Sequence, residues 1–131
     1  SQWIEKIINS QKGLKNKTIL QIGLSYTSGT TTIRRSLPFE IFKRLKKNLN
    51  IKIFDEFLRN KSLEIEKIRN YFEFSTKNNK FDIIIIFNND YNFKIIKKFV
   101  KKNSLIIDIN NNYKKDCLKN NFKYKSLEYD Y

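Results

Sequence analysis

Between Leu24 and Ser36 the chain gathers Ser25, Tyr26, Thr27, Ser28, Thr30, Thr31 and Thr32, followed by Arg34 and Arg35. Hydroxyls, backbone N–H groups and guanidinium forks are the groups that hold a phosphate or diphosphate, above all beside a helix N-terminus. The same stretch also reads as a plain polar connection ended by Ser36, a natural N-cap before Leu37-Pro38. Three further polar clusters follow apolar runs: Asp55-Glu56, Asn88-Asn89-Asp90, and Asp108 to Asn112. Asp55 and Asp108 could form an acid/base pair; strand-end aspartates more often cap turns.

Cys117, beside Lys114, Lys115 and Lys119, could be an activated thiolate or a buried packing residue. The chain has no histidine, which excludes Ser-His-Asp and Cys-His catalysis and histidine-ligated zinc or haem. A single cysteine excludes a disulfide framework and a multi-cysteine metal site. No metal site is therefore expected. Tyr71, Phe72 and Phe74 could stack on nucleic-acid bases, or pack in a core.

The 131 residues carry a formal net charge of +14, which suggests a polyanionic partner. The charge rests on 22 Lys and only 5 Arg, in a chain with 20 Ile, 17 Asn and no Ala. An AT-rich coding sequence produces that bias, and arginine is the better bidentate phosphate ligand. Most of the charge is therefore read as compositional drift. With 40% hydrophobic residues the chain can form a core. The longest apolar run, Ile83 to Phe87, is too short for a membrane-spanning helix, and no secretory signal is visible. With no methionine anywhere, the sequence reads as a segment of a longer protein.

The elements that must position these residues follow from the hydrophobic pattern. Trp3, Ile4, Ile7 and Ile8 recur at helical spacing, predicting a helix from about Gln2 to Ser10. Thr18 to Gly23 predicts a strand. Phe39, Ile41, Phe42 and Leu45 predict a helix beginning at Leu37-Pro38. Ile51 to Phe54 predicts a short strand. Leu63, Ile65, Ile68 and Phe72 predict a helix ending near Asn70, with a small strand over Phe72 to Phe74. Phe81 to Phe87 has the continuous apolar character of a strand covered on both faces. A helix around Phe93 to Val100, a strand over Leu105 to Ile109, a short helix from Lys114 and a weak strand over Phe122 to Tyr124 complete the chain. This alternation predicts an α/β fold: a Rossmann-like open, mostly parallel sheet with helices on both faces, preceded by an N-terminal linker helix. Residues 1–17 form the linker helix and connector, and residues 18–131 the α/β domain. Ligands of such sheets bind at the carboxyl ends of the strands, where the four polar clusters lie. A GxGxxG triplet and a Walker A sequence are both absent, so no independent NAD site is expected.

The order of motifs resembles the C-terminal domain of the UDP-glucose/GDP-mannose dehydrogenase family. Gly23-Leu24-Ser25-Tyr26 is similar to that family's Gly-Leu-Ala-Phe-Lys-Pro after a strand. Ile33-Arg34-Arg35-Ser36 is similar to its Val-Arg-Glu-Ser, and Ile53-Phe54-Asp55 to its Tyr-Asp-Pro strand end. Phe81-Asp82 with the isoleucine run, Asn88-Asn89-Asp90, and Leu105 to Asn111 follow in the family's order. Departures are visible too. Thr27 stands at the family's substrate lysine, Ser28 at its proline, Thr31 and Thr32 at its loop aspartates, Arg35 at its glutamate, and Asn110 at its late arginine.

The resemblance implies a nucleotide-sugar-binding domain, inactive alone, of an enzyme that oxidises a nucleotide-sugar alcohol twice to a uronic acid with NAD, as in polysaccharide biosynthesis. It implies substrate contacts from Tyr26, Thr27 and Asn110, and Arg34 on the cofactor side. NAD would be held mainly by an N-terminal domain outside these residues, in a cytoplasmic homodimeric parent with no membrane partner. Nucleic acid is not the partner on this reading. The alternative is a noncatalytic basic module that binds nucleic acid or another polyanion. A third reading is an assembly domain using an exposed aromatic tail of Tyr124, Tyr129 and Tyr131.

Overall fold

The isoleucine-rich runs lie side by side as five parallel strands. A computed structural model describes residues 2–24, 36–58, 67–73 and 79–127. Its elements are α1 (Gln2–Asn9), β1 (Thr18–Ile22), α2 (Leu37–Leu45), β2 (Asn50–Phe54), β3 (Phe81–Ile86), α3 (Phe93–Lys97), β4 (Val100–Asp108), α4 (Lys114–Lys119) and β5 (Lys123–Ser126), with single 3-10 turns at Leu14–Asn16 and Arg69–Tyr71. The strand order is β2-β1-β3-β4-β5, every neighbouring pair parallel. The sheet grows from β1 outward to β2, then returns across β1 to β3. That reversal is the topological switch point, and in open parallel sheets ligands bind at such a point, here the carboxyl ends of β1 and β3.

Alternation along each strand divides the apolar residues between two layers. Ile19, Ile51, Ile53, Ile83, Ile85 and Ile107 meet Ile4 and Ile8 of α1 and Ile41, Phe42 and Leu45 of α2. Leu20, Ile22, Ile84, Ile86 and Ile106 meet Ile96, Phe99 and Cys117 on the opposite face. Helices thus cover both faces, as the unbroken apolar runs require. Residues 2–9 pack onto the sheet itself, and Glu5 binds Arg44 of α2 at 3.0 Å. Helix α2 begins as its sequence dictates: Ser36 caps the Phe39 N–H and Pro38 occupies the first turn.

Some boundaries differ from the sequence pattern. β4 begins at Val100, five residues before the apolar run at Leu105, because Lys101 to Ser104 form a polar bulge against β3. Of the expected helix ending near Asn70, Leu63 and Ile65 lie outside the described residues, and Arg69–Tyr71 is a 3-10 turn. Phe72 makes one parallel bridge with Ile53, while Phe74 lies outside the described residues. Tyr71 and Phe72 are core residues; Tyr71 sets its ring edge-on to Phe42 at 5.2 Å. Tyr124 belongs to no exposed tail. It is fully buried on β5 because its ring completes the second layer and its hydroxyl finds Asp108. Tyr129 and Tyr131 lie outside the described residues. No described helix is long and apolar enough to cross a membrane.

Candidate functional site

Gly23 follows β1 at the switch point with φ of 97°, a left-handed value that favours glycine. A Cβ there would lie 2.5 Å from Asn88 Nδ2, so the missing side chain admits Asn88 from the end of β3. In a dinucleotide site that space belongs to a pyrophosphate. Gly23 is filled by the protein, and the described residues do not fit an autonomous NAD site.

The next residue, Leu24, is tied down twice. Its N–H donates to Asp55 Oδ2 at 3.1 Å, and its carbonyl accepts from Ser36 Oγ at 2.8 Å. The eleven residues 25–35 therefore leave and re-enter the fold at one closed point beside the switch point. Buried Gln21 reinforces that point: its Nε2 donates to Gly23 O at 3.0 Å and to Pro38 O at 2.8 Å. Tyr26, Thr27 and Arg34, with the rest of the hydroxyl-rich segment, lie outside the described residues.

Asp55 and Asp108 are caps rather than an acid/base pair. Asp55 accepts from the Leu24 and Leu58 N–H groups, each at 3.1 Å. Asp108 Oδ2 accepts from the Tyr113 N–H at 2.7 Å and the Tyr124 hydroxyl at 2.8 Å. β1 and β3 separate their strands, which at strand spacing sets them about 14 Å apart. Burial raises both carboxyls above the usual 3.8, against the pull of their N–H donors. Asp90 is raised by burial as well. Cys117 is fully buried and pushed up to about 12 by burial, with Asp108 and Asp116 adding to it, so it packs and does not attack.

Asn110 is exposed just beyond β4, and its Nδ2 donates to Phe87 O at 3.0 Å, bridging the ends of β4 and β3. A brace not legible in the sequence supports it. Tyr91 takes the Glu56 N–H on its hydroxyl at 2.7 Å, and Tyr113 donates its hydroxyl to Tyr91 O at 2.6 Å. Tyr124 bonds Asp108, which holds the 108–113 turn. Burial is the main force raising all three phenols, Tyr113 to about 12, so they stay neutral donors and acceptors. The brace links the ends of β2, β3, β4 and β5, and the period-2 pattern could not announce it because aromatic residues also serve as plain core.

A parallel doubly wound sheet with its switch point at the carboxyl ends of β1 and β3 is an architecture in which nucleotide ligands bind at that edge. Comparison makes this specific: the profile described as "UDP-glucose/GDP-mannose dehydrogenase family, UDP binding domain" matches residues 20–115, and the chain belongs to that family. Its fold is that of solved dehydrogenases. GDP-mannose dehydrogenase from Pseudomonas aeruginosa is 20% identical with a TM-score of 0.61, over 82% of this chain and 27% of that one. UDP-N-acetyl-mannosamine dehydrogenase from S. aureus is 17% identical with a TM-score of 0.57, over 94% and 28%. UDP-D-ManNAc dehydrogenase from Pyrococcus horikoshii is 20% identical with a TM-score of 0.52, over 81% and 24%. The chain thus spans about a quarter of each of those chains. No curated protein matches the sequence.

Proposed function

We propose that this chain is the C-terminal nucleotide-sugar-binding domain, residues 18–131 behind a linker at 1–17, of an NAD-dependent nucleotide-sugar 6-dehydrogenase. The reaction is the two-step oxidation of a sugar alcohol to a uronic acid, and this domain grips the nucleotide end of the substrate. The observation that carries the reading is the family match over 20–115, joined to the Ser36–Leu24 bond at the switch point. Tyr26 and Thr27, between those two residues, and Asn110, across the switch point, contact the substrate. Arg34 faces the cofactor, and with Arg35 it supplies cations that the described segments following the strands lack.

The hydride acceptor and nucleophile belong to other parts of a homodimeric cytoplasmic parent, which binds NAD through its own N-terminal domain. Alone, the 131 residues hold no complete active site, in keeping with a chain that has no histidine and a buried, inert Cys117.

The test uses the longer protein that contains this chain. Calorimetry with a panel of UDP- and GDP-sugars should give binding of at least one, followed by NADH formation with NAD. Arg34→Ala should raise the NAD requirement more than the sugar requirement. A protein that binds no nucleotide sugar in the panel sinks the proposal.

A further inference from the structure

Five lysines, Lys80, Lys97, Lys101, Lys102 and Lys123, line one groove at the amino ends of the strands, away from the switch point. There β3 and β4 fall out of step: Phe81 pairs with Val100, yet Ile83 pairs with Leu105. Two steps along β3 answer to five along β4, and residues 101–104 bulge. Bulges re-aim side chains and often sit beside functional sites. This one is fixed from within. Ser104, almost fully buried, donates its hydroxyl to Phe81 O at 2.7 Å and accepts the Lys101 N–H at 2.9 Å. Asn103 takes a φ of 71° at the turn of the bulge.

The bulge sets Lys101 and Lys102 on a groove of about 570 Å³ that Lys80, Lys97 and Lys123 also line. Amides of Asn103, Asn120 and Asn121 complete its polar wall, and Phe122 gives an apolar floor. No carboxylate is among the described lining residues. Lys101 binds Asp82 at 2.9 Å, whereas Lys97, Lys102 and Lys123 form no ion pair among the described residues. Ammonium groups held around one opening repel each other, and an occupant with closely spaced negative charges relieves that repulsion. Coding bias accounts for the number of lysines. It does not account for a locked bulge that sets Lys102, beside a Lys101 paired with Asp82, on a groove with no carboxylate in its described lining.

We propose that this groove binds a chain of phosphates, either the backbone of a single-stranded nucleic acid or a free polyphosphate, at a place separate from the nucleotide-sugar site. A phosphate chain brings only acceptors, which suits a wall of ammonium and amide donors. Lysine serves here as a point charge, and a flexible phosphate chain needs no bidentate fork.

Anisotropy of a labelled oligothymidylate, and calorimetry with inorganic tripolyphosphate, test this on the 131-residue chain across a salt series. Polyglutamate serves as the competing acidic polymer. Binding of either phosphate probe at about 50 mM salt, weakening steeply as salt rises, is expected. The oligonucleotide slope should flatten by about 1.4 in K102Q/K123Q, at about 0.7 per lost phosphate contact on a single strand. Lys12→Gln with Lys115→Gln, both outside the groove, should leave it unchanged. Circular dichroism confirms that each variant is folded, and the longer protein carrying K102Q/K123Q should bind nucleotide sugar as before. Tight binding of the oligonucleotide alone identifies nucleic acid, and of tripolyphosphate alone a free polyphosphate. The proposal is overturned if neither binds, if the control pair weakens binding as much as the groove pair, or if polyglutamate displaces the oligonucleotide as readily as tripolyphosphate does.

Discussion

The two edges of one sheet are built in opposite ways. Among the described residues, the segments that follow the strands hold Asp55, Glu56 and Asp90 and no lysine, and Asp108 closes β4. The approaches to the strands carry Lys17, Lys46, Lys47, Lys80 and Lys98, and the starts of β4 and β5 add Lys101, Lys102 and Lys123. At the carboxyl edge, buried carboxyls and tyrosines bond backbone groups and make a rigid rim. At the amino edge, cations stand in water around a bulge. The lesson is that net charge and ligand site need not coincide: the +14 of the chain is absent from the described part of the edge that a diphosphate would occupy.

The comparison can be broken or sharpened by experiment. The largest effect is expected at the switch point. Gly23→Ala places a Cβ at 2.5 Å from Asn88 and forces a left-handed backbone on alanine, so it should cost about 2 kcal/mol or more in urea unfolding. Adding Asn88→Ala should return the part due to the clash and leave the backbone part. Equal stability of wild type and Gly23→Ala would mean that the rim is not rigid.

Next come the hydrogen bonds that organise each edge. Tyr124→Phe removes a buried donor from Asp108, and Ser104→Ala orphans both Phe81 O and the Lys101 N–H. Each should cost about 1–3 kcal/mol, the penalty for leaving a buried polar group unpaired.

The pH dependence should differ in sign between the edges. Partial burial works to raise the Asp82 carboxyl, but Lys101 and the Thr18 N–H at 2.8 Å outweigh it and hold it below 3.8. Its contribution is present above 3.8 and is lost as pH falls through its folded pKa. Asp108 is raised, so the folded state binds the extra proton, and its contribution declines as pH rises from 3.8 through its folded pKa. Thermal melts over that window should show Asp82→Asn losing less stability than wild type on acidification. Asp108→Asn should lose less than wild type as pH rises. Parallel pH profiles for the two variants would erase the distinction between the edges. The smallest effect is expected for K102Q/K123Q, within about 0.5 kcal/mol, because exposed charges hold little of the fold; melting temperatures check it.

Much of this was readable from residue order. Continuous apolar runs such as Ile83 to Phe87 specify strands covered on both faces, and the spacing of Phe39, Ile41, Phe42 and Leu45 with Ser36 before them specifies α2. The family match covers residues 20–115, the stretch that carries the motifs from Gly23 to Asn111. What stayed hidden are features made by two distant segments at once. The bulge at 101–104 depends on how β4 meets β3, and four polar residues do not announce a strand. Tyr124 looked like part of an aromatic tail because its partner, Asp108, lies 16 residues away in sequence. Gly23 was visible as a lone glycine, but its purpose required knowing that Asn88 fills the space above it. Asn110 was found through resemblance, and its bond to Phe87 O only through the fold.

The clasp between Ser36 and Leu24 has a consequence for how such a protein can change. Its two bonds, from Ser36 Oγ to Leu24 O and from the Phe39 N–H to Ser36 Oγ, tie the end of β1 to the start of α2. The frame is therefore set by residues 24, 36 and 39, on either side of positions 25–35. A substitution between Leu24 and Ser36 leaves both bonds in place, so the sequence there can change while the described scaffold keeps its two anchors.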